Sequence, residues 1–207
     1  MTVRAVVFDF GGVIISPITN KIAVLAERHR TELATMLEIL MGPRHESTDH
    51  AWHRAERGEL AVAEIQDLIV PVAAERGVEL HGDEVDVMLD DQTYDMNTRV
   101  LDRIDALKGE VILGLLTNSF REFRPTLERD VDLTRFDVVM DSSVEGSRKP
   151  EAAIYRRTTE ALGVPPESIV YLDDFDHNLG PATAEGWQTI HVSDPDEALV
   201  DLDRLLA

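Results

Sequence analysis

The chain has 207 residues, 43% hydrophobic and 29% charged, enough for one substantial globular domain or one domain carrying a smaller insertion. A formal charge of −20 argues against a general electrostatic surface for nucleic acid or anionic membrane, and no apolar run approaches the ~20 residues that cross a bilayer. The absence of cysteine excludes disulfides, thiolate metal sites and a cysteine nucleophile; with no signal-peptide pattern at the amino terminus, the expected location is cytoplasmic.

Residues Arg4 to Ile14 open with a nearly continuous apolar run that ends at Asp9 and is followed by Gly11-Gly12. Such a run reads as a buried central strand of a parallel sheet. Ligands in open α/β sheets bind beyond the carboxyl ends of such strands, although an Asp in this place can also simply cap a turn. After a polar turn at Ser16, Pro17 and Thr19, helical patterning dominates from about 19 to 92. One apolar stripe runs Ile22, Leu25, Ala26, His29, Leu33, Met36, Leu37 and Leu40 until Gly42-Pro43 breaks it. Trp52 to Gly58 forms a short second element. A third helix is expected from Ala61 to Arg76, with Gly77 as its stop, and a short one from Val85 to Leu89.

From about 97 the pattern alternates. Helix Thr98–Lys108 leads to strand Val111–Leu116, helix Phe120–Arg129 to strand Asp137–Met140, and the loop Asp141–Pro150 to helix Glu151–Leu162. Strand Ile169–Leu172, helix Leu179–Glu185, strand Gln188–Val192 and helix Asp196–Leu206 complete the chain. The expected fold is α/β: a three-layer, Rossmann-like, doubly wound parallel sheet with an inserted all-helical cap. The core takes residues 1–16 and 93–207, and the cap residues 17–92.

Polar groups recur at the strand ends: Asp9 after the first, Thr117-Asn118 after the second, Lys149 in the loop after the third, Asp173-Asp174 after the fourth. In this topology those ends share one edge of the sheet, so the groups should converge. Lys149 also stands out as one of three lysines, with Lys21 and Lys108, in a chain otherwise served by Arg. The plain structural alternatives are a salt bridge for Lys149 and a helix N-cap pair for Asp173-Asp174.

Taken together, Phe8-Asp9-Phe10-Gly11-Gly12-Val13, Leu116-Thr117-Asn118-Ser119, Arg148-Lys149-Pro150 and Leu172-Asp173-Asp174 resemble the four motifs of the haloacid dehalogenase (HAD) superfamily. The helical block falls where that family places a cap. Arg54-Ala55-Glu56-Arg57-Gly58-Glu59 and the stretch 174–178 resemble a bacterial subgroup that includes a phosphatase of α-D-glucose 1-phosphate. The resemblance implies that Asp9 attacks phosphorus and becomes an aspartyl phosphate. Asp9, the Gly11 carbonyl, Asp173 and Asp174 would hold Mg²⁺. Thr117 and Asn118 would bind the phosphoryl oxygens, and Lys149 would supply the neighbouring cation. The implied partner is a small phosphorylated metabolite, with no nucleic acid or membrane; no oligomeric state follows.

The chain departs from the family at Gly11, where HAD phosphatases usually carry a second Asp that protonates the leaving group. Three readings stay open. The enzyme acts on a phosphate whose leaving group needs little protonation, such as a small sugar phosphate or another activated phosphate, with His53 or Glu56 as candidate stand-ins. Alternatively, the fold is a catalytically weak binding or interaction module. In the third, it is a metal-independent 2-haloacid dehalogenase, a class against which the Asp173-Asp174 pair speaks. Trp52, His53, Arg54 and Arg57 are the candidates for substrate selection, Arg54 and Arg57 being spaced to share a helix face.

Overall fold

Ala5–Phe8 forms strand β1 in the computed structural model, with all four side chains buried. The structure describes residues 2–89 and 94–207, without the side chains of 86–88, so the expected cap–core boundary at 92/93 lies outside the described residues. β1 is central because its apolar run can be covered on both faces and paired on both edges. It lies between β2 (Ile112–Thr117) and β4 (Ile169–Asp173), flanked in turn by β3 (Val138–Asp141) and β5 (Gln188–His191). All pairings are parallel, in the order β3-β2-β1-β4-β5. The order reverses direction at β1, which makes its carboxyl end the switch point where such sheets place ligands.

Among the described residues between β1 and β2, five helices precede the crossover helix: α1 (Thr19–Arg28), α2 (Leu33–Met41), α3 (Ala51–Glu56), α4 (Val62–Glu75) and α5 (Gly82–Leu89). The single stripe expected through residue 40 is two helices. The polar stretch His29 to Glu32 supplies no apolar face, and Arg30 turns into the left-handed region at φ 52°. Met36, Leu40, Ile65 and Ile69 are fully buried in one apolar cluster that belongs to these helices, joined from the sheet side by Phe120. Each such side chain contributes roughly 1.5–3 kcal/mol of burial.

The remaining helices are α6 (Thr98–Leu107), α7 (Arg124–Val131), α8 (Ser142–Glu145), α9 (Ala152–Leu162), α10 (Asp176–Glu185) and α11 (Pro195–Leu206). Two further apolar clusters cover the two faces of the sheet, giving three layers. The loop expected from Asp141 to Pro150 contains the one-turn α8, capped by Asp141 accepting from Ser143 N–H at 3.0 Å. The helix expected from Phe120 starts as a 3₁₀ turn, Arg121–Phe123, because Phe120 is drawn out of register into the helical cluster. No helix among the described residues is long and apolar enough to cross a membrane.

Candidate active site

Register brings the strand ends together. Phe8 pairs with Leu115 and Leu172, so the next residues of β1, β2 and β4 (Asp9, Leu116-Thr117, Asp173-Asp174) emerge at one edge. Asp9, Asp173 and Asp174 form an acidic group whose candidate ligand atoms lie within 4.8 Å of one another. Lys149, 1% exposed, reaches into it and places Nζ 2.8 Å from Asp9 Oδ1 and 2.8 Å from Asp173 Oδ2. The loop carrying Lys149 is fixed by Asn118, whose side-chain amide donates to the Lys149 carbonyl at 3.0 Å and accepts from its N–H at 2.8 Å. The resemblance assigned the Asn118 backbone N–H to phosphate and gave its side chain no role; this clamp links residues 31 positions apart.

The three carboxylates differ in how they are satisfied. Asp173 is saturated: besides Lys149, it accepts from the Tyr171 hydroxyl, from Asn178 Nδ2 at 3.0 Å to each oxygen, and from Phe175 N–H at 2.8 Å. Burial alone would raise its pKa, but Lys149 and these donors outweigh it and hold the carboxyl below its ordinary range. Asp174 is the opposite case. Its Oδ1 is buried without a hydrogen-bond partner. Burial, and then the charge of Asp173, push its carboxyl up to about 7. Asp9 is also raised well above the ordinary value by burial, with Lys149 opposing and the other two carboxylates adding.

Three carboxylates around one ammonium leave negative charge in excess, and two like charges about 4 Å apart cost on the order of 4 kcal/mol at a partly buried site. A hard divalent cation would relieve this, and the bare Asp174 Oδ1 with the Asp9 carboxylate gives it oxygen donors. The residues therefore fit Mg²⁺, with Asp9 and Asp174 as the open donors. The chain makes room for this carboxylate: Gly12, at φ +75°, approaches Asp174 so closely that a Cβ would lie 2.2 Å from its Cγ and Oδ2. At Gly11, by contrast, a Cβ would meet nothing within 4 Å and the backbone is not left-handed.

A cavity of about 430 Å³ opens beyond Asp9, Thr117, Asn118, Lys149 and Asp174. Of the four candidates for substrate selection, Trp52 lines it. His53, Arg54 and Arg57 do not. His53 is fully buried inside the helical region, accepts from Thr48 N–H at 3.0 Å, and is held neutral, its pKa lowered to about 3 first by burial and then by Arg148. Arg57 binds Glu59, Ser47 and the Thr48 carbonyl instead. The two proposed stand-ins for the missing acid also fall away. His53 lies outside the cavity, and Glu56, which lines it, has both oxygens taken: Trp52 Nε1 donates to one at 2.9 Å and Arg148 Nε to the other at 2.5 Å.

That Glu56–Arg148 pair joins the helical region to the loop of Lys149 and is almost fully buried. Arg148 Nη1 is buried without a hydrogen-bond partner, and the residue lines the cavity. Arg148 belongs to the third motif, but there its neighbour Lys149 carried the signal.

A family model for haloacid dehalogenase-like hydrolases matches residues 3–184. Mouse acyl-CoA dehydrogenase family member 10 is 28% identical over 215 residues, covering 98% of this chain and 19% of that protein. The chain thus spans less than a fifth of that relative's length. A sesquiterpene phosphatase of Aspergillus oryzae is 24% identical over 211 residues, covering 99% of this chain and 97% of the relative. Among solved structures, a HAD family enzyme of Bacteroides thetaiotaomicron in complex with magnesium and inorganic phosphate superposes with a TM-score of 0.64 at 20% identity, over 91% of this chain and 93% of its own. The geometry at the strand ends and the match along most of the sequence make the chain a member of the haloacid dehalogenase-like hydrolase family.

Proposed function

We propose that this hydrolase is a Mg²⁺-dependent phosphomonoesterase that works through an aspartyl phosphate on Asp9. The observation that carries the reading is the pairing of a buried Lys149 at 2.8 Å from Asp9 with an unpartnered Asp174 oxygen in the same acidic group. Lys149 holds one Asp9 oxygen and neutralises charge as the other attacks phosphorus. The Asp9 O–P bond forms while the P–O bond to the alcohol breaks and the alcohol leaves with the bonding electrons. Water then cleaves the acyl phosphate, releasing inorganic phosphate and restoring the Asp9 carboxylate. A divalent cation bound by Asp9 and Asp174 would supply the charge that offsets repulsion between nucleophile and phosphoryl group. Asp173 keeps the Lys149 ammonium in place, and Asn118 keeps its backbone in place.

With no side chain at Gly11, and Glu56 spent on Trp52 and Arg148, proton delivery to the leaving group falls to water. This favours a phosphorylated metabolite whose leaving group needs little protonation. The relative named as a phosphatase and the neighbour crystallised with magnesium and phosphate support the same chemistry.

The test is a panel of aryl, acyl and sugar phosphates assayed with Mg²⁺ and with EDTA. Phosphate release that needs the metal and is lost in Asp9→Asn is expected. Failure across the panel would favour an interaction module, and chloride release from 2-chloropropionate in EDTA would favour dehalogenation; either overturns the proposal.

A further inference from the structure

We infer that the cavity above Asp9 holds a hydrocarbon group, so that the substrate is the phosphate of a largely apolar group rather than a sugar phosphate. This rests on the phosphatase reading and narrows it. At about 430 Å³ the cavity is far larger than a phosphoryl group needs and falls in the range of small-molecule sites. Its apolar lining comes from both parts of the chain: Ile18, Met41 and Trp52 from the helical region, and Phe120, Phe123 and Phe175 from the segments after β2 and β4. The wall is preformed. Trp52 meets Phe120 edge-on at 4.9 Å and Phe120 meets Phe123 edge-on at 5.2 Å, while Trp52 and Phe120 are each 3% exposed.

Several polar groups lining this space are spent on protein partners, while Arg148 Nη1 and Asn178 Oδ1 are buried and unpartnered. Glu56 binds Trp52 and Arg148 through both oxygens, the Tyr94 hydroxyl donates to Asp130, and the Asn178 amide nitrogen is held by Asp173. Each sugar hydroxyl buried here beyond the reach of those two atoms would cost about tenfold or more in affinity. A hydrocarbon loses nothing by the same move, and each methylene it buries is worth about fourfold. At the mouth, Val24 adds an apolar side chain that is 61% exposed, a surface that a longer hydrocarbon would cover.

The experiment is a series of 4-alkylphenyl phosphates, from methyl to hexyl, hydrolysed with Mg²⁺. All share one leaving-group acidity, so the missing acid at Gly11 affects every member alike. We expect kcat/KM to rise about fourfold per added methylene until the cavity is filled, mainly through KM. Hexyl phosphate should compete more strongly than glucose 1-phosphate. Phe123→Ser should cut the hexyl-to-methyl ratio severalfold. Hydrolysis that is flat or falls with chain length, or stronger competition by glucose 1-phosphate, would overturn the inference and leave the phosphatase reading standing. Should no member turn over, the same series is read as Kd by calorimetry. A Kd that tightens with chain length then supports the apolar site and sinks only the phosphatase reading, while a flat series sinks the site itself.

Discussion

Replacing Asp174 by Asn separates a cost from a gain that the wild-type site carries together. Burial, then Asp173, lifts the Asp174 carboxyl from an ordinary 3.8 to about 7. The fold therefore favours its protonated form. Between about pH 4 and pH 7 the folded chain keeps a proton that the unfolded chain has lost, so metal-free stability falls as pH rises through that window, and the loss is complete above it. At ~1.4 kcal/mol for each tenfold, the interval sets a penalty of ~4 kcal/mol. This is an upper bound, since solvent still reaches part of the residue and Asp9 shares the charge.

The amide introduced by Asp174→Asn does not titrate. In EDTA, the variant should therefore gain on wild type by up to ~4 kcal/mol on going from about pH 4 to about pH 8. His50, His53 and His177, whose pKa values burial depresses, titrate in both proteins and cancel in the difference. In Mg²⁺ at about pH 8 the gap narrows, because wild type gains about 2.7 kcal/mol at a hundredfold excess over Kd and the variant loses the ligand. Urea unfolding followed by the fluorescence of Trp52 and Trp187 measures all three conditions. A difference that does not change with pH, or equal stabilisation of both proteins by Mg²⁺, would refute the reasoning.

Three further outcomes follow from the geometry. Arg148→Met should cost about 3–5 kcal/mol by stranding the buried Glu56 carboxylate, and Glu56→Gln/Arg148→Met should recover most of it, since the amide oxygen of the Glu56→Gln side chain still accepts from Trp52; additive single effects in denaturant titrations would contradict this. Gly12→Ala should weaken Mg²⁺ binding about 10–100-fold by displacing Asp174, whereas Gly11→Ala, with nothing within 4 Å of its added methyl, should change stability by less than about 0.5 kcal/mol; equal effects on Mg²⁺ titrations and melting would sink the distinction. In a series of aryl phosphates, wild-type kcat/KM should climb steeply with leaving-group acidity. Gly11→Asp should flatten that slope by raising the poorest substrates toward the ~10²–10⁴-fold that a positioned acid supplies, and an unchanged slope would show that proton delivery does not limit the rate.

What could be read from sequence was the sheet and its edge. Ala5–Phe8 and Ile169–Asp173 are runs that only a two-sided core satisfies, and their polar ends follow the chain into one place. The helical region was legible as helical, but not in its orientation. A 3.6-residue period says that Arg54 and Arg57 share a face and says nothing of where that face points; packing turns it from the cavity and presents Trp52. Glu56 and Arg148 are 92 positions apart, and nothing local in either marks the other as its partner. The same holds for Asn118 and the Lys149 backbone, and for Gly12, whose value lies in the Asp174 carboxylate that sits where its Cβ would be. The split between α1 and α2 was hidden because His29 fits the spacing of an apolar stripe while pairing instead with Glu84 at 3.0 Å.

The central claim is a covalent bond to Asp9. Acid quenching of the enzyme during Mg²⁺-supported turnover of an aryl phosphate, followed by peptide mass mapping, should find one phosphoryl group on the peptide carrying Asp9. Asp9→Asn should carry none and should turn over at least about 10³-fold more slowly. Turnover without a phosphorylated Asp9 peptide, together with an active Asp9→Asn variant, would contradict the account.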